Sequence, residues 1–322
     1  MSVEIGRRER IMEKELYVCN PEKNTLCPKY GCQDFCFHTT SKEYSTDGKP
    51  VDPKECGADL KPVDPETGNK VKCELIHDNF QNIARYNVPR AQLVIADIPY
   101  NLGDKFYASR VDWYVDGDNK NGENKAKAHK AAFHTDYRFN LAEFLHYASR
   151  MLKKEPGKGE KDAPCLIVFC AFEQMFELME IAYKEGFKHH ISLTFTKNFS
   201  PQVLKSNMRI VGATEYALVL YKDKLPKFRN YSEEYGKKHM IFDWFEYRKD
   251  NKDIPKIHPT QKPVNLLMKL ISIFTDPGDV VIDPCAGSGS TLRAARELGR
   301  NSYGFESNGE FYNKAVEQML AS

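Results

Sequence analysis

The sequence predicts an α/β fold built on a doubly wound, mainly parallel sheet. Three observations lead there. From residue 71 onward, apolar runs of strand length alternate with segments of helical period. One of those runs, "CLIVFC", is apolar without interruption, as a strand covered on both faces is. Two others, "QLVIAD" and "DVVID", stop at an aspartate and give way to a loop, which is where open α/β sheets bind ligands.

The elements follow in chain order. "KCELIHDNF" reads as a short strand and a turn, and "AQLVIADIPYN" as a strand ending in a loop. Residues 101–136 are polar and aperiodic, a long mobile loop. In "YRFNLAEFLHYASRMLKK" the apolar residues Phe139, Leu141, Phe144, Leu145, Ala148, Met151 and Leu152 mark one helical face. "AFEQMFELMEIAYKEGF" is a helix that stops at Gly186. "HISLTFTKN" and "TEYALVLYK" alternate as strands, and residues 222–256 are charged and aromatic without a clear period. "TQKPVNLLMKLISIFT" is a helix, "DVVIDPCAGSGSTLRAARELGR" a strand, glycine loop and helix, and "NSYGFESNGEFYNKAVEQML" a further strand, loop and helix. No internal repeat is evident.

Composition narrows the setting. The 322 residues carry 47 basic and 45 acidic side chains, a net charge of +2, which excludes a histone-like or strongly acidic protein but leaves room for a local basic face. No window approaches the roughly 18 apolar residues of a membrane span. The first residues lack the apolar core of a signal peptide, so a cytoplasmic setting is expected. Residues 1–72 form a separate, loop-rich segment, and 73–322 one domain. Six of the nine cysteines fall within the first 73 residues: Cys19, Cys27, Cys32, Cys36, Cys56 and Cys73. With His38 they offer a zinc site or a set of reduced thiols packed on the domain. The C-x4-C and C-x3-C spacings are not the C-x2-C pairs of common zinc sites. The histidines at 129, 134, 146, 189, 190 and 239 share no local spacing and read as surface or packing residues.

The loop "VVIDPCAGSGST" places Asp283 at a strand end, then Gly287 and Gly289, then a helix, with Cys285 and Ser288 inside the loop. Glycines there let backbone approach a ligand, and the helix N-terminus favours an electron-rich group. Glu306 closes the next strand, where a carboxylate reaches a ribose diol. The third glycine of a dinucleotide fingerprint is missing and there is no GK[ST] phosphate cradle, so a nucleoside ligand without pyrophosphate fits, S-adenosylmethionine foremost. Loops at the carboxyl ends of parallel strands share a crevice. Asp97 and nearby carbonyls would accept hydrogen bonds from an amino group, Pro99 would stiffen the turn, and Tyr100 would stack on a planar base.

At these residues the chain resembles a known family. "DIPY" is similar to the (D/N/S)-P-P-Y tetrapeptide of DNA amino-methyltransferases, "DPCAGSGST" to their cofactor loop, and "HPTQKP" at 258–263 matches a third motif letter for letter. "TKNFSPQVLKSNMRIVGATEYALVLYK" and "IHDNF" resemble two further segments, with His77 in place of a glycine. The tetrapeptide precedes the cofactor loop, the order of the circularly permuted beta class, and the likeness spans roughly 71–322. The resemblance implies a seven-stranded-type methyltransferase sheet with the cysteine-rich segment as an appendage. It implies that Asp97, Pro99 and Tyr100 hold the target base and amino group, with Asp97 also against the cofactor. Gly287 and Gly289 would line the cofactor loop and Asp283 would sit near the methionine end. Glu306 would bind the ribose and Asp78 would reach the adenine. His258, Thr260 and Lys262 would open the helix that receives the methionine carboxylate. Ile98, where proline is usual, would leave the corner less rigid.

The implied activity is methyl transfer to the exocyclic N6 of an adenine extruded from double-stranded DNA, aspartate in first place being commoner in adenine enzymes. Cytosine N4 is the alternative acceptor, and an inactive DNA-binding module the alternative of another class. Lysines in 119–130 either order on a phosphate backbone or form a solvated loop. Residues 222–256 sit where this class keeps target recognition; the segment is short, so a homodimer or the N-terminal segment would add contacts. No catalytic metal is expected.

Overall fold

The computed structural model describes residues 71–101, 138–198, 213–232, 236–258 and 260–321. The N-terminal cysteines through Cys56 and nearly all of the expected loop at 101–136 lie outside them. Cys73 lies inside, in the first strand, its thiol facing the Leu292 carbonyl.

Eight strands form one mixed sheet: β1 (Cys73–Ile76), β2 (Leu93–Asp97), β3 (Cys165–Cys170), β4 (His189–Lys197), β5 (Thr214–Tyr221), β8 (Trp244–Tyr247), β9 (Val280–Asp283) and β10 (Asn301–Phe305). Their spatial order is β1-β10-β9-β2-β3-β5-β4-β8. A separate hairpin joins β6 (Tyr231–Ser232) to β7 (Lys237–Lys238). Pairing is parallel from β1 across to β3, antiparallel on both sides of β5, and parallel again between β4 and β8. The sequence reading expected seven strands. The eighth, β8, comes from the aperiodic segment 222–256, and two of its four residues, Trp244 and Glu246, face solvent on the sheet edge.

Helices cover both faces because alternate strand residues are apolar on both. Val94, Ala96, Leu166 and Val168 pack with α1 (Leu141–Met151) and α2 (Met175–Lys184) through Phe144, Leu145 and Leu178. Leu93, Ile95, Ile167 and Phe169 pack with α3 (Val264–Phe274) and α4 (Ser290–Glu297) through Leu267, Leu270, Ile271, Ala294 and Ala295. Burying each such large side chain stabilises the fold by roughly 1.5–3 kcal/mol before entropy is counted.

α1 is shorter than its apolar pattern. Asn140 caps it by accepting the Glu143 N–H, and Leu152 turns extended to bridge Ala91. The last helical segment divides into α5 (Gly309–Lys314) and a π-helical turn, Ala315–Met319. Gly186, past the end of α2, has φ +92° and ends that helix as its position predicts. No described helix is long and apolar enough to cross a membrane.

Candidate active site

Parallel neighbours end on the same side of a sheet, and four of them deliver the site. β1 runs into Asp78, β2 into the Asp97–Tyr100 corner, β9 into the glycine turn, and β10 into Glu306. β2 and β9 are hydrogen-bonded to each other, in the register Leu93–Val281 and Val94–Ile282. The corner and the turn therefore open into one cavity. It is lined by Asp78, Asp97, Pro99, Tyr100, His258, Thr260, Lys262, Asp283, Cys285, Gly287, Ser288 and Glu306, with Phe80, Phe139, Phe305 and Phe311 as aromatic walls.

One expected member does not line it. Gly289 points away, and a Cβ there would lie 3.5 Å from Ala315 and Leu320 side-chain atoms. Its part is conformational: φ of +52° at Gly287 and +76° at Gly289 turn the chain into α4, a region glycine enters without steric cost. The Gly287 N–H is spent on the Glu306 carboxylate at 2.9 Å, whose other oxygen accepts the Asn308 N–H at 2.6 Å. Glu306 is thereby oriented at the mouth of β10 with lone pairs left for a diol.

The Asp97–Tyr100 corner is held from three sides. Ile98 is buried in the core, so burial fixes the corner where a second proline was missed. The buried Gln174 donates to the Pro99 carbonyl at 3.0 Å and accepts the Ala171 N–H at 3.1 Å. Asn101, in the left-handed region, exchanges two side-chain hydrogen bonds with the Phe139 backbone. Tyr100 is half-buried, and its phenol donates to Asp97 Oδ1 at 3.2 Å.

Two expected contacts are already spent within the chain. The first is the start of α3. The Val264 N–H donates to both oxygens of Asp250, at 2.9 and 3.1 Å, so that helix end carries its own carboxylate. The second is Lys262. It is buried, with its ammonium 2.7 Å from Asp97 Oδ2, 3.4 Å from Glu215 Oε2 and 3.4 Å from the Tyr100 hydroxyl. His258 turns Nδ1 toward Thr260, accepting its N–H at 3.3 Å, beneath the edge of Phe311. Burial, with Lys262 nearby, lowers the imidazole to about 4, so it is neutral at pH 7. Asp78 accepts from Asn79, Asn82 and Tyr86, each at 2.7 Å, and these bonds hold its carboxyl below the usual range.

The cavity is acidic. Burial raises Asp283 to about 7, against the Cys285 N–H and Thr291 hydrogen bonds that favour its ionised form, and burial also raises Asp97 and Glu306. The Cys285 thiol is pushed up by burial and by Asp283, so it stays protonated. Among the described lining residues Lys262 is the sole ammonium or guanidinium. Such a donor set repels phosphate and suits a ligand with hydroxyls, an amine and positive charge. No group of described residues has the arrangement of a metal site.

Residues 91–317 match the DNA methylase family of N6 and N4 enzymes. The chain belongs to the N6/N4 DNA methylase family. Two relatives frame that membership. The type II methyltransferase M.HindIII of Haemophilus influenzae is 48% identical over 62 residues, 19% of this chain and 20% of that protein. DNA adenine methyltransferase YhdJ of Escherichia coli is 25% identical over 269 residues, 78% of this chain and 84% of that protein. The chain thus spans a fifth of the first relative and most of the second. Among solved structures, the M1.HpyAVI–SAM complex shares the fold at a TM-score of 0.52 and 22% identity, covering 76% of this chain and 98% of that one.

Sequence reasoning missed Gln174 and Asp250, and it placed Glu215 only as a familiar position in a family-like segment, without a role. Gln174 and Asp250 gave no signal, since their partners lie 75 and 14 residues away.

Proposed function

We propose that the protein transfers a methyl group from S-adenosylmethionine to the exocyclic N6 of a flipped-out adenine in a specific sequence of double-stranded DNA. The observation that carries this is the shared cavity: the Asp97–Tyr100 corner and the Asp283–Ser288 turn line one pocket. The order of those segments supports the beta class. The donor set fits the cofactor, with Glu306 facing a diol, Asp283 an α-amino group, and aromatic side chains an adenine. When bound, the cofactor supplies an electrophilic methyl group.

The chain's own residues do the rest. Tyr100 recovers part of the stacking that the extruded base loses. Asp97 accepts one amino hydrogen, and the Pro99 carbonyl keeps a lone pair beside the Gln174 bond for the other. Both acceptors draw the nitrogen toward a tetrahedral shape, which takes its lone pair out of conjugation with the ring. That pair would form the new N–C bond as the sulfonium's S–CH3 bond breaks and its electrons leave with the neutral thioether, and the proton the nitrogen sheds passes to Asp97 or to water. The same acceptors serve cytosine N4. Adenine is preferred on the aspartate at the first position and on the named activity of YhdJ. DNA contacts are assigned to 222–256, whose described part exposes Phe228, Tyr231, Met240, Phe242 and Trp244, and to a homodimer in the cytoplasm.

Incubation with labelled cofactor and DNA, then nucleoside analysis, tests the reading. N6-methyladenine is expected; N4-methylcytosine would move the acceptor, and cofactor binding without transfer would make the chain an inactive module.

Asp283 gives a pH signature. A cation bound against it favours the ionised form, so binding lowers its pKa from about 7 and weakens as pH falls through that value. Calorimetry should find cofactor affinity roughly tenfold weaker at pH 6 than at pH 8. Asp283→Asn should bind more weakly and lose most of that dependence; an unchanged slope would dissociate Asp283 from the amine.

A further inference from the structure

β5 runs against its neighbours, so its first residues, not its last, reach the catalytic edge: Tyr216 pairs with Cys170 at the end of β3. This places Glu215 beside the Asp97 corner. Its Oε1 accepts from Lys197, at the end of β4, and its Oε2 faces Lys262 at 3.4 Å. Lys262 in turn reaches Asp97 Oδ2 at 2.7 Å. The four charges sum to zero and alternate in sign: Lys197, Glu215, Lys262, Asp97.

We propose that Lys262, held by Glu215 and Lys197, is a positioning residue that fixes the Asp97 carboxylate as an ionised acceptor aimed into the cavity. The inference rests on the methyl-transfer reading. Asp97 Oδ2 and the Tyr100 hydroxyl lie within reach of two of the three ammonium donors of Lys262, while Glu215 Oε2, at 3.4 Å, faces it as a counter-charge without a hydrogen bond of its own.

The surroundings fix the sign of the effect. Around Asp97 stand Tyr100 from its own corner, Lys262 before α3, Glu215 from β5, Cys170 from β3 and Asp283 from β9. Tyr247 of β8 and Lys197 face the far side of Lys262 and Glu215. Burial pushes Asp97 up; of these groups Lys262 opposes that most, while the Glu215 charge adds to it. Burial pulls Lys262 down, but Asp97 and Glu215 outweigh it and hold it charged. Without the ammonium, Asp97 faces Glu215 alone and keeps its proton. A protonated carboxyl is a poorer acceptor for an amino hydrogen.

The test uses the full chain with DNA and cofactor, comparing wild type, Lys262→Met, Lys262→Arg and Glu215→Gln. Single-turnover transfer is followed from pH 5 to 9, with cofactor affinity by calorimetry. For Lys262→Met the acid limb should rise by about 1–3 pH units with cofactor binding retained. Lys262→Arg should keep the limb near wild type. Glu215→Gln, which removes the neighbouring negative charge, should not raise it but should lower the plateau.

Thermal melting gives a second arm that needs no turnover. In Lys262→Met, Asp97 has a folded pKa raised further above its unfolded value, so relative to wild type that variant should lose melting temperature as pH rises past the ordinary aspartate range. Adding Asp97→Asn should abolish this loss. An unmoved acid limb, or a defect confined to cofactor affinity, overturns the inference while leaving the reading intact. A Lys262→Met protein inactive at every pH is judged by the melting arm, where a wild-type slope also overturns it. A wild-type protein that transfers no methyl group ends the reading and the inference with it.

Discussion

Replacing Asp97 with alanine should cut the transfer rate by at least about 100–1,000-fold, some 2.7–4 kcal/mol of barrier, the usual cost of removing one aimed hydrogen-bond partner. The cofactor should still bind, because the glycine turn, Glu306 and Asp283 are untouched and Gln174 still holds Pro99. Lys262 would keep Glu215 as counter-charge, and Glu215 would keep Lys197, so the buried site retains a cation–carboxylate pairing. Melting should stay cooperative. A reduced kcat with retained cofactor affinity in calorimetry checks the claim. Wild-type transfer by the Asp97→Ala protein would remove the carboxylate from the chemistry, whatever base is methylated.

What could be read from the sequence was local. "CLIVFC" and "AQLVIAD" declare buried strands because a strand covered on both faces needs unbroken apolar character. α1 declares itself through its 3.6-residue stripe, and the glycine turn through residues required within a few positions of each other. β8 could not be read this way. Trp244 and Glu246 face solvent, and the strand is specified by its pairing with β4 rather than by its own pattern. The same division runs through the site. Asp97, Tyr100, Asp283 and Glu306 are named by strand ends. Lys262 was placed at the right cavity, but its neighbours Asp97 and Glu215 could not be read beside it, because they arrive from two other segments of the chain. The antiparallel run of β5, which brings Glu215 to the catalytic edge, is a property of the sheet order.

Gly304 is the position where the sheet and the glycine turn meet most tightly, and Gly304→Val should damage both. β10 lies between β1 and β9, with Gly304 beside Leu75 and Asp283. A Cβ there would stand 2.6 Å from Leu292 Cδ1 and 3.0 Å from the Ala286 Cβ. Leu292 is fully buried and Ala286 nearly so, and the Ala286 N–H is tied to the Phe305 carbonyl at 2.9 Å, so neither can retreat freely. Overpacking of this kind costs about 1–3 kcal/mol. Relief must come from moving α4 or the turn that carries Cys285, Gly287 and Ser288. Gly304→Val should therefore melt several degrees below wild type and lose more than about tenfold in cofactor affinity, a change of about 1.4 kcal/mol. Gly304→Ala meets the same 2.6 Å contact and should shift both in the same direction by less. A Gly304→Val protein with wild-type melting and affinity would mean that the strand does not support the turn.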